Sequence, residues 1–288
     1  MKTKKKLVLL IAVFVVLIGL DLFFGWQNKA LLTTEIAVEN ENIPSSFSGF
    51  RIVQVSDLHN TTFGFKNKKL LEAIEKAKPD IIVITGDLVD MNRTEIDVAL
   101  SFSEKAVDIA PVYFVTGNHD VKAVGRTDLL EGLKKCGVSV MRNKKTEIEK
   151  SGQKITLLGI DDPKFLDDFM AYDDKTNTKI MLDKLNENKN NFTVLLAHRA
   201  EMIDVFSEAG IDLVFTGHAH GGQIRLPGYG GVLAPGQGWF PEYDSGLYRK
   251  QGTQMIVSRG LGNSAFPFRI NNRPEIIVAE LISICEVS

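Results

Sequence analysis

Cysteine is nearly absent from this sequence. Cys136 and Cys285 are the only two, far apart and in no metal-ligand spacing, so neither a disulfide framework nor a thiolate metal site is expected. They read as two unpaired thiols. An excess of basic charge is also missing: the formal net charge is −2 over 288 residues. Beyond residue 30 the balance is more acidic, with 29 Lys and Arg against 35 Asp and Glu. Nucleic-acid binding needs a basic face and is not expected here. No G-x-S-x-G elbow is present, which argues against a serine hydrolase. No G-x-x-x-x-G-K-[ST] loop is present, which argues against a P-loop enzyme. Internal repeats and low-complexity segments are lacking, and there is one long hydrophobic run.

That run lies at the N-terminus. Lys2, Lys4, Lys5 and Lys6 precede an apolar stretch from Leu7 to Leu20, interrupted by Asp21 before Leu22, Phe23, Phe24 and Trp26. As a helix, Leu7 to Trp26 would be about 30 Å long, the hydrocarbon thickness of a bilayer. The following residues, GWQNKALLTT, contain no good small-x-small cleavage site. An uncleaved anchor is therefore favoured over a cleaved signal, and over a helix buried in the domain. The lysines hold the terminus in the cytoplasm and place the rest outside the cytoplasmic membrane. The expected organisation is an anchor with a short basic tail over 1–30, a polar connector over 31–49 with a short strand at Thr33–Val38, and one domain over 50–288.

From Phe50 the pattern alternates strand, loop and helix. Apolar strands are expected at Phe50–Val55, Asp80–Thr85, Pro111–Thr116, Phe192–Ala197 and Ile211–Thr216. Helical spacing covers Asn67–Ala77, Thr94–Asp108, Arg126–Cys136 and Asn177–Asn188, with later strands at Thr253–Val257 and Glu275–Leu281. The alternation predicts an α/β layered fold. The five apolar strands end in SDLH, GDLVD, GNHD, AHR and GHAH. Sites in α/β sheets form beyond the carboxyl ends of strands.

All five histidines of the chain, His59, His119, His198, His218 and His220, fall in those clusters. Asp57, Asp87 and Asn118 join them. Imidazole, carboxylate and amide oxygen suit Zn, Mn or Fe. Seven or eight such groups exceed the needs of one tetrahedral ion and suit two adjacent ions, which clamp a displacement at phosphorus.

The ordered string Asp57-x-His59, Gly86-Asp87-x-x-Asp90, Gly117-Asn118-His119-Asp120, His198, Gly217-His218-x-His220 resembles the calcineurin-like metallophosphoesterase superfamily, over roughly residues 50–282. GHAHGGQIRLPGYGG and the later SRGLGNS resemble its membrane-anchored bacterial branch, which includes phosphodiesterases and enzymes resembling UDP-2,3-diacylglucosamine pyrophosphatase. The resemblance implies a layered β-sandwich flanked by helices, here preceded by one N-terminal transmembrane helix. It implies two divalent or trivalent ions, Mn, Fe or Zn. Asp57, His59, Asp87 and His220 would hold one ion; Asp87, Asn118, His198 and His218 would hold the other, with Asp87 bridging. His119 would be catalytic, contacting the phosphate and protonating the leaving oxygen. AHRAE departs from the family pattern, which more often has proline two residues after the histidine.

The implied reaction is hydrolysis of a phosphodiester or pyrophosphate bond in a lipid-linked or envelope substrate. A water between two cations loses its proton near neutral pH and attacks phosphorus. A phosphomonoesterase or nucleotide phosphatase, and an inactive metal-containing envelope binding protein, are the other readings. Asp90 either orients a ligand or caps a turn. Asp120 reads as a turn or supporting residue, and Asp161-Asp162 as a turn. Gly86, Gly117 and Gly217 are expected to make tight turns. Arg199, Arg225 and Arg259 could neutralise phosphate but more often serve as structural or solvated residues. Trp239 and Phe240 in Gly236–Pro241, and the segment Ala265–Phe268, are expected to pack against the sheet, with an interfacial role as the other reading.

Overall fold

The structure, a computed structural model, describes residues 2–165, 173–187, 189–263 and 266–284. Cys285, Ala265 and the expected helix end at Asn188 lie outside the described residues. The chain begins with α1 (Lys2–Lys29), β1 (Leu32–Asn40), β2 (Arg51–Val55), α2 (Lys68–Lys76), β3 (Ile81–Ile84), α3 (Ile96–Ala106) and β4 (Val112–Phe114). It continues with α4 (Asn118–Lys122), α5 (Arg126–Lys135), β5 (Ser139–Val140), β6 (Lys144–Lys150), β7 (Gln153–Gly159), α6 (Asp174–Leu185), β8 (Thr193–Arg199), α7 (Ile203–Glu208) and β9 (Leu213–Gly217). Four two-residue strands follow: β10 (Arg225–Leu226), β11 (Gly230–Gly231), β12 (Leu233–Ala234) and β13 (Gly238–Trp239). The last three are β14 (Gly246–Lys250), β15 (Thr253–Val257) and β16 (Glu275–Ser283).

Two six-stranded sheets carry the domain, in the orders β1-β16-β2-β3-β4-β5 and β14-β15-β9-β8-β7-β6. In the first, β2 to β5 run parallel. In the second, β15, β9, β8 and β7 run parallel, with β14 and β6 antiparallel at the edges.

The apolar runs IVQV and IIVI are buried on both faces, as expected of parallel strands covered on each side. Side chains alternate with the two-residue period of a strand. Ile52, Ile81 and Val83 face the second sheet, meeting Val194, Leu196, Leu213, Phe215 and Ile256. Val53, Val55, Ile82 and Ile84 face the other way, onto Leu70, Ile74, Phe102, Leu129 and Leu133 of α2, α3 and α5. On the far side of the second sheet, Leu195, Ala197 and Val214 pack with Leu182 of α6 and Phe206 of α7. The order of layers is therefore helix, sheet, sheet, helix, the flanked sandwich expected from the sequence.

Several local expectations shift. Residues 31–49 supply more than one short strand: β1 pairs with β16 in parallel over nine positions, and Ile43 and Phe47 are core residues. The short helix α7 after His198 has no counterpart in the periodicity, because its six residues are too few to show a helical stripe. The aromatic loops do not pack against the sheet: Trp239 is 71% exposed and Phe240 60%. α1 is apolar over a membrane-spanning length, and none of its most hydropathic stretch is buried.

The inter-sheet layer makes a direct prediction. Phe215 is fully buried in it. Phe215→Ala should lower unfolding free energy by about 3–5 kcal/mol, read from urea denaturation. A loss below about 1 kcal/mol would mean that the two sheets do not close on this ring.

Candidate metal centre

The parallel strands of both sheets bring their carboxyl ends to one edge. Asp57 follows β2, Asp87 follows β3, Asn118 opens α4 after β4, His198 lies near the end of β8, and His218 follows β9. Gln54 ties the two sheets beneath them: its buried amide donates to Thr85 Oγ1 and to the carbonyl of Thr216, both at 2.8 Å. The loops approach too closely for ordinary side chains. A Cβ on Gly217 would lie 2.3 Å from Asp57 Oδ2, and one on Gly117 would lie 2.2 Å from Asp87 Oδ1. Only Gly86 of the three expected turn glycines has a positive φ, +94°. Gly117 and Gly217 are thus required for room rather than for turn conformation.

The donors themselves sit in strained backbone. Asp57, His59, Asp87, His218 and His220 all have φ between 45° and 66°. Non-glycine residues in this region cost on the order of 1–3 kcal/mol each and persist where the surroundings over-determine them. Here neighbouring amides do so. The Asp57 N–H donates to the Gly86 carbonyl, the His59 N–H to the Asp87 carbonyl, and the His218 N–H to the Asp57 carboxylate.

Two donor clusters share one carboxylate. His59 Nε2 lies 3.2 Å from His220 Nε2, and Asp57 Oδ1 lies 3.4 Å from His220 Nε2. In the second cluster, His198 Nε2 lies 3.2 Å from His218 Nδ1. Asp87 Oδ2 stands between them, 3.5 Å from His59 Nε2 and 3.3 Å from His198 Nε2. Donors that surround one ion at about 2.1 Å stand roughly 3.0–3.4 Å apart, so these spacings fit metal ligation. Asn118 Oδ1 is buried without a hydrogen-bond partner. A buried orphan acceptor of this kind is costly unless a cation or donor meets it. His59, Asp90 and His119 form a third group. It reuses His59, and His119 Nδ1 already accepts the Met91 N–H at 3.2 Å, so it does not make a separate ion site.

Electrostatics favour cations here. Burial pushes His59 and His220 down to about 3, leaving neutral imidazoles, the form that ligates metal. Burial pushes Asp57 up, against the pull of His198. Burial also opposes ionisation of Asp87, but the neighbouring histidines, His198 foremost, hold it well below the usual carboxylate range. Burial lowers His198 as well, yet Asp87 more than compensates and raises it to about 10. The carboxylates thus call for positive charge at His198, whether from a proton or from a cation. His198 Nδ1 donates to the Thr85 carbonyl at 2.7 Å, which turns Nε2 toward Asp87.

The remaining candidates resolve individually. Asp90 does both things expected of it: Oδ1 accepts from the Asn92 N–H at 2.8 Å, and Oδ2 faces His59 and His119 at 3.7 and 3.6 Å. Asp120 is more than a turn residue. Its fully buried carboxylate accepts from the backbone N–H groups of Asp87 (2.6 Å), Gly117 (2.9 Å) and Val89 (3.2 Å), pinning two ligand loops together. Asp161 and Asp162 are ion-pair anchors rather than a simple turn. Arg142 binds Asp161, and Arg199 grips Asp162 with two bonds of 2.7 and 3.1 Å. Arg199 is therefore structural; Arg225 likewise pairs with Asp244 at 3.0 Å, and Arg259 approaches Glu275 at 3.8 Å.

Three supporting residues escape the sequence pattern. Arg269 is the largest fully buried side chain and donates to the carbonyls of Arg259, Gly262 and Asn272. It holds the loop whose Leu261 and Gly262 N–H groups donate to the Ser56 and Asp57 carbonyls. Asn272 donates to the His220 carbonyl at 2.7 Å, and Glu201 Oε1 faces His218 Nε2 at 3.9 Å. The glycines of SRGLGNS were the only sequence trace of this brace: a Cβ on Gly260 would lie 2.7 Å from Asp57 Cβ.

Comparison with known proteins agrees with the geometry. The family described as calcineurin-like phosphoesterase matches residues 50–222. The metallophosphoesterase YkuE of Bacillus subtilis (strain 168) is 32% identical over 87% of this chain and 85% of its own length. The phosphodiesterase YaeI of Escherichia coli (strain K12) is 30% identical over 81% of this chain and 82% of its own. Among solved structures, the Thermus thermophilus sulfate thiohydrolase SoxB aligns with a TM-score of 0.52 at 13% identity, over 85% of this chain and 58% of that one, a likeness of fold.

Gly117→Ala tests the close packing of the centre. It should leave the circular dichroism spectrum unchanged while weakening metal affinity about 10–100-fold, as displaced supports of a ligand do. Unchanged affinity would show that Asp87 does not depend on the room Gly117 provides.

Proposed function

The chain belongs to the calcineurin-like phosphoesterase family, metal-dependent phosphoester hydrolases, and on that premise we propose that it cleaves a phosphodiester or pyrophosphate bond at a pair of metal ions. The observation that carries the reading is Asp87 Oδ2, within 3.5 Å of His59 Nε2 and 3.3 Å of His198 Nε2. Asp57, His59 and His220 would complete one ion's ligands with Asp87; Asn118, His198 and His218 would complete the other's. The mixed imidazole, carboxylate and amide set suits Mn, Fe or Zn. Once bound, the ions supply positive charge for the phosphate oxygens and lower the pKa of water toward neutrality.

The chain's own residues do the rest. The Asp87 carboxylate keeps the two clusters in register, and its Oδ1 accepts the His119 N–H at 2.8 Å. The His119 ring stands beside the first cluster, 4.5 Å from the His59 ring by centroid. The Met91 N–H occupies His119 Nδ1, so the proton resides on Nε2. Nε2–H is then the donor to the phosphate or the leaving oxygen. The centre's donors are nine-tenths or more buried in most cases, which strengthens their interaction with developing charge.

A diester or pyrophosphate is preferred over a monoester because YaeI is named a phosphodiesterase. A lipid-linked or envelope substrate is the finer part of the proposal. It is supported by α1 and by the apolar cleft beside Gly222 described below. The basic residues ahead of α1 support an orientation with the domain outside the cytoplasmic membrane.

Purified protein loaded with Mn²⁺ should hydrolyse bis-p-nitrophenyl phosphate well above a metal-free control; no turnover would contradict the proposal. His119→Ala should retain both ions by metal analysis and lose about 10²–10⁴ in rate. Loss of metal in that variant would make His119 a ligand instead. For orientation, a C-terminal alkaline phosphatase fusion should be active in intact cells, and an inactive fusion would put the domain in the cytoplasm.

A further inference from the structure

A run of aromatic rings, most of them exposed, joins the end of α1 to the rim of the candidate metal centre. Phe23 and Phe24 lie 5.5 Å apart by ring centroid, Phe24 and Phe268 lie 4.6 Å apart, and Phe268 and Phe266 lie 6.0 Å apart. Phe266 and Trp239 then line one cleft of about 210 Å³, together with Ile224, Val232 and Leu233. Gly222 lies at its wall, two residues after His220. Trp239, Phe240, Phe266 and Phe268 are 71%, 60%, 45% and 40% exposed. A monomer in water rarely leaves such a patch uncovered unless it binds something.

Polar contacts hold this arrangement in place. Asn28, at the end of α1, donates to the Pro267 carbonyl at 2.9 Å and accepts the Arg269 N–H at 2.9 Å. Arg273 lies over the Trp26 ring at 5.0 Å. Gln223 donates to the carbonyls of Phe266 and Phe268 at 2.9 and 3.0 Å. The helix end, the aromatic loop and the loop bearing His220 are thus bonded to one another. Where α1 leaves a bilayer, the rings next to it must lie at the level of the headgroups.

We propose that the Trp239, Phe240, Phe266 and Phe268 rim is seated in the interfacial layer of the bilayer that α1 spans, so that the metal centre opens onto the lipid headgroups. This rests on the anchor and phosphoesterase readings given above. Tryptophan favours this layer because its ring is apolar while its indole N–H can stay hydrated, and phenylalanine rings bury in the apolar side of the same layer. The rings form a contiguous aromatic path from the helix end to the cleft. A lipid phosphoester can present its phosphate to the metals while its chain stays with the membrane or enters the cleft. No full extraction of the lipid into water is needed.

The two tryptophans make the seating measurable. In full-length Trp26→Phe protein reconstituted into vesicles, Trp239 is the only tryptophan. Lipids brominated near the headgroup end of their acyl chains should quench its fluorescence, and aqueous iodide should not. In Trp239→Phe protein, the same lipids should quench Trp26, which reports insertion of α1. Trp239 open to iodide and untouched by brominated lipid would overturn the proposal, as would failure to quench Trp26. Turnover of bis-p-nitrophenyl phosphate by the same vesicles is read separately. Turnover without Trp239 quenching overturns the seating and leaves the phosphoesterase standing; quenching without turnover does the reverse.

Discussion

Asp87 holds a carboxylate oxygen between imidazoles carried by different sheets, His59 after β2 and His198 on β8, and the centre is built around that placement. A charge buried this deeply is costly unless opposite charge and hydrogen bonds meet it. The Asp87 N–H is fixed by Asp120, its Oδ1 by the His119 N–H, and its Oδ2 is left for cations. Left-handed backbone at five candidate ligand positions follows from the same demand, since the chain must turn sharply at these loops to aim its side chains inward. The glycines at 117 and 217 are the corollary. At each of them a Cβ would overlap the neighbouring carboxylate, Asp87 at 117 and Asp57 at 217.

Much of this was legible in the sequence because the ligands sit at strand ends in short, ordered clusters. Five histidines, all within four of the five strand-end clusters and none elsewhere, is a pattern that packing does not produce. The apolar runs IVQV and IIVI announced buried strands, and the alternation of such strands with helices announced a layered α/β fold. What was hidden lies at long range. Arg269 braces Asp57 from more than two hundred residues away, through backbone carbonyls, and no spacing rule connects them. Asp120 was visible as a motif residue, but its buried N–H partners Asp87 and Val89 belong to a separate loop that only the fold brings to it. The exposure of Trp239 and Phe240 was also invisible, because an apolar dipeptide in a glycine-rich loop reads the same whether it faces a core or a membrane.

The N-terminal helix and the candidate centre are one arrangement rather than two. β1 follows α1 almost directly and pairs along its whole length with β16, so the helix enters the domain through the first sheet rather than through a loose tether. Asn28 and Gln223 then fasten the helix end and the His220 loop to the same aromatic segment. The end of α1 and the candidate metal ligands therefore lie on the same edge of the sandwich.

The sharing of Asp87 is the claim most directly open to measurement. Crystals of the Mn²⁺-loaded protein, with anomalous scattering collected at the manganese edge, locate each ion independently of any assumed ligand set. Two peaks roughly 3.5–4 Å apart, with Asp87 bound to both, are the predicted result. A single peak, or two peaks with Asp87 bound to only one, would contradict it.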